Sequence, residues 1–472
     1  MTTDVADKQI EVKASAIPPA AAQALASLLG DRFTTARAIR DQYGRGEAYP
    51  TLLPPDAVAF PQSTEEVSRI AKICFAHGVP MVPSGAATSL EGNITAPLGG
   101  LGVNLARMDR IVEVNEADLD CVVEAGVTRE QLNHELRAAG LFFPIDPGAN
   151  ATLGGMASTR ASGTNAVRYG TMAENALGLT VVQPDGTVIH TGGRARKSAA
   201  GYDLTRVYVG SEGTLGIITE VRLRLYGIPD TMAAATCAFD DLAGAVNTVT
   251  QLIQIGVPVA RVELLDEMQV RACNAYSGLN LPEKPHLFFE FHGSKLATQE
   301  DAETALAIAS GEGGSGFEWA TAAEDRNRLW KARHNAYFAA VALRPGAQVW
   351  SSDVCVPVSH LADAVLAVRA DIDRNGLTAP IVGHVGDGNF HVLFAIDPVD
   401  PAERERAETV YAAMIERAIA VGGSCTGEHG VGMVKGKHLV SEHGAAGVQT
   451  MRQIKRALDP QGLMNPGKIF VG

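Results

Sequence analysis

The spacing of apolar residues changes period several times along the chain, and the changes mark its elements. Leu25, Leu28, Leu29 and Phe33 recur at near-helical spacing, which predicts a helical stretch over residues 18–41. Pro54-Pro55-Asp56 then enters a first strand that runs to Phe60. Ser63-Thr64-Glu65-Glu66 has the form of a helix start, followed by an apolar face of Val67, Ile70, Ala71, Cys74 and Phe75 that Gly78 ends. Val79 to Val82 is the next strand, so the order is strand, helix, strand, an α/β unit. After Gly227 the pattern shifts. Residues 236–239 and 286–291 read as strands, residues 242–255 as a helix and residues 311–316 as a flexible turn. Residues 322–340 are expected to form one helix, with Trp330, Arg333 and Tyr337 on one stripe.

Residues 381–394 carry two histidines, His384 and His391, around a Gly-Asp-Gly. Gly386, Gly388 and Asn389 disfavour a helix there, and a straight strand would send the two rings to opposite faces. A hairpin turning at Asp387-Gly388 resolves both problems, pairing Gly386 with Asn389, Val385 with Phe390 and His384 with His391. Opposed partners have Cβ atoms about 5 Å apart, close enough for two imidazoles to share a divalent ion. Two histidines satisfied by ordinary hydrogen bonds are the plain alternative. A second stretch, residues 423–432, holds Glu428 and His429 in a loop opened by glycines. Adjacent side chains tend to diverge, so Glu428 is expected as the third metal ligand and His429 as the group left for proton transfer. The alternative is a solvated Glu–His pair in a surface turn. Gly432 to Lys437 resembles a phosphate loop, but its spacing is one residue short and His438 stands where Ser or Thr is needed.

Three tracts are rich in glycine and small residues: residues 83–92, which follow the strand ending at Val82, residues 146–163 (continued by Arg168-Tyr169-Gly170-Thr171) and residues 209–218. Such loops let backbone N–H groups approach a pyrophosphate, and three of them in about 130 residues are poorly explained as unrelated turns. A Rossmann fingerprint is absent, because Gly210, Gly213 and Gly216 are spaced by three.

Composition narrows the classes. The 472 residues suffice for two or more domains, each with its own core. Forty basic and 53 acidic residues give a net charge of −13, with no Lys/Arg cluster, which argues against nucleic acid as a partner. The six cysteines are scattered without a Cys-x-x-Cys, excluding the usual iron–sulfur or structural zinc modules and suiting a reducing compartment. The first eight residues are polar and acidic, unlike a signal or transit peptide, and no apolar run reaches the ~20 residues of a membrane span. The expectation is a cytoplasmic protein without a transmembrane segment, with peripheral contact at a membrane left open.

The loop at residues 83–92, the tract Gly154-Gly155-Met156-Ala157-Ser158 and the stretch Gly210-Ser211-Glu212-Gly213-Thr214-Leu215-Gly216 resemble the FAD-binding domain of the vanillyl-alcohol oxidase/p-cresol methylhydroxylase superfamily. The histidine stretch, the Gly427-Glu428-His429-Gly430 loop and residues 329–335, 352–357 and 458–468 resemble the FAD-linked D-2-hydroxy acid dehydrogenases, in particular the cytochrome- or quinone-linked D-lactate dehydrogenases. The resemblance implies an α+β protein: a two-lobed FAD-binding domain and a cap domain with an antiparallel sheet and flanking helices. The expected division is an N-terminal helical segment at 1–53 packing on the FAD domain, the FAD domain at 54–227, the cap at 228–457 and a C-terminal segment at 458–472 returning to the FAD domain. One departure stands out: the first loop usually reads Gly-x-Gly-Thr, whereas here it is Gly85-Ala86-Ala87-Thr88. If position 87 requires a positive φ, alanine costs about 1 kcal/mol.

The resemblance assigns to FAD Pro83, Ser84, Gly85, Ala86, Ala87, Thr88, Ser89, Pro147, Gly148, Thr152, Gly154, Gly155, Ser158, Ser162, Gly163, Tyr169, Glu212, Gly213, Gly216, Ile218 and Asn465. No histidine lies between Pro83 and Asn93, so the flavin is expected to be non-covalent through this loop. It implies that Arg333 faces a substrate carboxylate, for which a guanidinium offers a bidentate fork. Trp330, Tyr337, His384 and His429 would complete the substrate site. The metal held by His384, His391 and Glu428 is expected to be Zn²⁺, with Mn²⁺ or Fe²⁺ as alternatives. The implied activity is oxidation of D-lactate or a similar small D-2-hydroxy acid, with His429 as base, hydride passing to flavin and electrons to cytochrome c or a quinone. D-2-hydroxyglutarate or glycolate dehydrogenation and a non-catalytic flavoprotein subunit are the competing readings. The segment Ser351 to Cys355 offers no cation for a second carboxylate, which favours a monocarboxylate. A homodimer is left open.

Overall fold

A computed structural model describes residues 17–45 and 51–470. The reading of the first eight residues lies outside them. Three main sheets carry the fold. The first has four strands in the order Phe33–Thr34, Ala57–Ala59, Leu101–Asn104, Met81–Ser84, with the last three parallel. The helix Thr64–His77 supplies the crossover that parallel strands require. Ser63 caps it, accepting from Glu66 N at 3.2 Å, and Gly78 ends it at φ +65°, as the sequence predicts.

The N-terminal stretch is not the continuous helix predicted for residues 18–41. Its helix stops at Leu29, because Gly30 turns to φ +59°, and Phe33–Thr34 pairs with Ala57–Ala59 as an edge strand. Phe33 satisfies a helical spacing yet packs from a strand, since burial selects apolar residues whatever the backbone does. Ala21, Leu25 and Leu29 share a core with Val67, Ile70, Ala71 and Cys74.

The second sheet has five antiparallel strands, ordered Ile111–Asn115, Asp120–Glu124, Ile217–Arg224, Ala176–Val182, Val188–Gly192. The third, of eight strands, is antiparallel and built from residues 231–396, with Val259–Leu265 beside Ile381–His384 near its middle. Helices Leu242–Gln254, Lys295–Gly311, Leu361–Arg374 and Pro401–Ala420 cover one face, burying Phe289, Phe291, Phe390 and Phe394. Each such side chain contributes about 1.5–3 kcal/mol.

The predicted helix over 322–340 is two helices, Ala323–His334 and Ala336–Leu343. The break falls at Asn335 (φ −93°, ψ 2°), whose amide donates to Ser277 Oγ at 2.8 Å. Near the chain's end, Leu463 O and Asn465 N both bond to the backbone of Met81, on the first sheet. Among the described residues no helix is long and apolar enough to cross a membrane.

Candidate functional site

A cavity of about 930 Å³ opens between the loops of the first two sheets and the third sheet. Its first wall is made of small residues. Residues 83–89 line it, as do Pro147, Gly148, Thr152, Gly154, Gly155, Ser158, Ser162, Glu212, Gly213, Gly216, Ile218 and Asn465. Close packing explains the glycines. A Cβ on Gly85 would stand 2.0 Å from Thr152 Oγ1, one on Gly154 2.4 Å from the Ala125 Cβ, and one on Gly213 2.4 Å from Pro83 Cγ. Ala87 sits at φ +59°, the strained case foreseen for the loop, and Glu212 and Asn465 also have positive φ. Ser89 Oγ, Arg129 Nε and Asn465 Oδ1 are buried here without a hydrogen-bond partner, the state expected of groups that await a polar ligand. A cradle of backbone and orphaned polar atoms fits a dinucleotide such as FAD. Two residues assigned to FAD lie outside the lining. Gly163 packs against Asp146 instead, and the Tyr169 hydroxyl bonds His292 Nδ1 at 2.8 Å.

The opposite wall is made of charged side chains, and the hairpin Ile381–His384/Asn389–Ile396 carries its histidines. Its register differs from the predicted one. His384 opposes Asn389 and His391 opposes Val382, because a four-residue loop replaces the two-residue turn at Asp387-Gly388. Gly388 takes φ +83° in that loop, where a Cβ would strike Val356 O at 1.9 Å. A shift of two residues leaves every side chain on its face. His384 and His391 therefore remain neighbours, now diagonal, with ring centroids 5.4 Å apart.

Glu428 Oε1 lies 3.3 Å from His384 Nε2 and 3.4 Å from His391 Nε2. The three ligand atoms fall within 4.8 Å of one another, and Glu428 Oε2 is buried without a partner. The Nδ1 atoms face away from this point: His384 Nδ1 contacts Glu263 Oε1 at 2.7 Å and His391 Nδ1 contacts Ser352 O at 2.9 Å. Outer partners on Nδ1 that leave Nε2 converging are what metal-binding imidazoles require. Two imidazoles and a carboxylate fit Zn²⁺, Mn²⁺ or Fe²⁺.

His429 does not diverge from Glu428 as adjacency suggested. Both line the cavity, and the His429 ring stacks on His391 with centroids 5.0 Å apart and planes at 8°. Asp353 imposes this turn. Its Oδ2 accepts the backbone N–H groups of Glu428 and His429, each at 3.0 Å, and the Thr426 hydroxyl at 2.7 Å. Arg333, Trp330 and Tyr337 also face the cavity, Arg333 with its Nε on Glu263 Oε2 at 2.6 Å.

At four of the buried charged groups around this wall, pairing outweighs burial. Burial would raise Glu263, but Arg333 and His384 hold it below the carboxylate range; His384 and His391 do the same for Glu428. Burial lowers His429, yet Asp353 and Glu91 keep it above the usual imidazole range. Lys435, fully buried, is held well above the lysine range against burial by Glu91, Tyr411 and Asp353, with Nζ 2.9 Å from Glu91 and 3.4 Å from Asp353. Lys435, which lies inside the rejected phosphate-loop stretch but not at its lysine position, is thus part of the site's support.

Sequence reasoning missed Glu263, Asp353, Glu91, Lys435 and Arg261. One signal existed: Arg261 and Glu263 alternate with Val262 and Leu264, which places both charges on one face of a buried strand. Arg261 is, with Arg129 and Arg333, one of three guanidiniums in the lining, but it is held by Asp146 at 3.3 Å, Glu290 at 3.6 Å and the Asn165 amide oxygen at 2.9 Å. Cys425 is buried and free, and belongs to the core rather than the cluster.

Comparison with known proteins agrees with this geometry. Residues 55–192 match the FAD binding domain model, and residues 228–469 match that of the FAD linked oxidases, C-terminal domain. The chain is 49% identical over 448 residues to the probable mitochondrial D-lactate dehydrogenase of Danio rerio, covering 94% of this chain and 90% of that protein. It is 44% identical to the mitochondrial D-lactate dehydrogenase [cytochrome] of Arabidopsis thaliana, covering 96% of this chain and 80% of that protein. The structure of p-cresol methylhydroxylase with substrate bound superposes with a TM-score of 0.77 at 17% identity, covering 96% of each chain, which shows a shared fold. The chain belongs to the FAD-linked oxidases and has the vanillyl-alcohol oxidase/p-cresol methylhydroxylase type of FAD-binding fold.

Proposed function

We propose that this protein oxidises D-lactate, or a similarly small D-2-hydroxy acid, to the 2-oxo acid and passes the electrons to a cytochrome- or quinone-type acceptor. The observation that carries the reading is the His384–His391–Glu428 cluster opening onto the same cavity as the small-residue FAD wall, with Arg333 beside it. Names of relatives that are D-lactate dehydrogenases, one of them of cytochrome type, support the substrate and the acceptor. The division of labour follows residues 54–227 for the cofactor and 228–457 for substrate and metal, with the chain's last residues, among them Asn465, closing the FAD wall.

When bound, FAD supplies the two-electron acceptor and a divalent cation, most simply Zn²⁺, supplies a Lewis acid that lowers the pKa of a hydroxyl. His384, His391 and Glu428 would hold the cation. Arg333 binds the substrate carboxylate through its terminal nitrogens, since its Nε is engaged by Glu263. His429 Nε2, 3.9 Å from Glu428 Oε1, accepts the proton of the 2-hydroxyl as that carbon is oxidised, acting in its neutral form, which the positive charge of a cation on the neighbouring cluster would favour. Trp330 and Tyr337 wall the substrate and limit water. Arg261, already matched by Asp146 and Glu290, does not add a vacant site for a second carboxylate, which favours a monocarboxylate over D-2-hydroxyglutarate.

The test is anaerobic mixing of the flavin-loaded protein with D-lactate, L-lactate, glycolate and D-2-hydroxyglutarate, with metal analysis of the same sample. Bleaching of the flavin band by D-lactate and not by its enantiomer is expected. Faster bleaching by glycolate or D-2-hydroxyglutarate reassigns the substrate, and no bleaching by any of the four overturns the enzyme reading.

A further inference from the structure

Glu263 lies on the strand Val259–Leu265, is fully buried, and uses its two oxygens on two different partners. Oε1 takes His384 Nδ1 at 2.7 Å and Oε2 takes Arg333 Nε at 2.6 Å. His384 belongs to the metal-type cluster, whereas Arg333 is the guanidinium assigned to the substrate carboxylate. We propose that Glu263 is a positioning residue shared by both: one carboxylate sets the ring orientation of the metal ligand and the direction of the substrate clamp. The inference rests on the functional reading above and adds a residue that neither the histidine motif nor the arginine stripe contains.

The geometry leaves little freedom. An imidazole that ligates through Nε2 carries its proton on Nδ1, and that N–H needs an acceptor. A guanidinium fixed through Nε presents its terminal nitrogens in one direction, so a ligand carboxylate meets a prepared fork. Both demands are for an anionic acceptor, and Glu263 supplies one oxygen to each. Glutamine has nearly the same shape but offers one acceptor and one donor where the site has two donors. Its NH₂ must therefore face an N–H of either His384 or Arg333, and the partner that keeps the amide oxygen loses a charge-assisted bond for a weaker neutral acceptor, so both are affected. Aspartate keeps the charge but is one methylene shorter, so it cannot hold both partners at these distances.

The experiment compares wild type, Glu263→Gln and Glu263→Asp as purified flavoproteins. Zn²⁺ affinity is measured after chelation by competition with a chromogenic chelator, a readout that needs no turnover. KM and kcat for D-lactate are measured on the Zn²⁺-loaded proteins, and flavin content on all three. For Glu263→Gln the expected result is Zn²⁺ affinity weakened 10- to 100-fold and KM raised about tenfold, with flavin content unchanged. If that variant does not fold, Glu263→Asp carries the same test, and at least one of the two quantities should change about tenfold. The proposal is overturned if Glu263→Gln keeps both quantities within about twofold of wild type, or changes only one of them; for Glu263→Asp, keeping both within about twofold overturns it. Wild-type protein that neither binds Zn²⁺ nor reduces its flavin with D-lactate overturns the functional reading as well, and is recognised without any variant.

Discussion

The two walls of the cavity are built on opposite principles. The wall from the first two sheets uses backbone and small side chains, with Gly85, Gly154 and Gly213 placed where any Cβ would collide. The wall from the third sheet uses long polar side chains whose charges are matched almost pair for pair: Glu263 with Arg333 and His384, Asp353 with Lys435, Glu428 with both histidines. A backbone cradle has no single atom whose loss abolishes it, but it tolerates no added volume. A side-chain cluster tolerates changes of shape around it, but each member is individually necessary. The difference predicts which kind of substitution damages which wall.

The largest effect is expected on the charged wall. His429→Gln should lower the rate of flavin reduction by D-lactate about 10²- to 10⁴-fold while flavin and metal content stay at wild-type levels. Wild-type reduction rates in that variant would remove His429 from the proton path. Chelation of the cation should come next, with a loss of at least about tenfold that Zn²⁺ or Mn²⁺ restores and a flavin absorbance that persists throughout. A flavin that leaves with the metal would mean the two walls are not independent.

On the small-residue wall, Gly85→Val should give a folded protein that retains little flavin, with FAD affinity down about tenfold or more, because the new side chain enters the space of Thr152. Ala87→Gly should act in the opposite sense. Relief of the positive φ is worth about 1–2 kcal/mol, partly offset by about 0.4–1 kcal/mol of added chain entropy in the unfolded state. The net gain should appear as a small rise in Tm, about 2 °C, in the flavin-free protein. An unchanged or lower Tm would show that the loop does not feel the strain.

A further expectation is a pH slope. Burial pushes Lys468 down to about 7 from 10.5, although Glu212 works the other way, and its Nζ donates to Thr95 O at 2.6 Å. Between these values the unfolded chain binds a proton that the folded chain does not. Stability from this residue is therefore full above about pH 10.5 and falls as pH drops towards about 7. Lys468→Met should flatten the dependence of Tm on pH across that window. An identical slope in the variant would leave Lys468 uninvolved.

Local signals made much of this legible. The Ser63 cap, the Gly78 stop, the glycine tracts and the alternation of strand residues each act within a few positions, and each appears where expected. The histidine pair was readable for a particular reason: a slip of two residues changes partners but not faces, so the wrong turn still placed both rings together. The break at Asn335 was not readable, because Trp330, Arg333 and Tyr337 face one cavity from either side of it. The supporting charges were hidden by distance along the chain. Glu263 meets His384 across 121 residues and Asp353 meets Lys435 across 82, and no periodicity links them.

Lys435 has a bearing on how far the protein can be taken apart. Its ammonium is enclosed between a carboxylate from the loop that joins two strands of the first sheet, Glu91, and one from the cap, Asp353. Removing the cation would leave two anions facing each other in a dry interior, a cost of several kcal/mol. The two halves are thus tied together through this lysine. Chimeras that graft one relative's cap onto another's flavin-binding half should assemble only when this three-part ionic joint travels as a set.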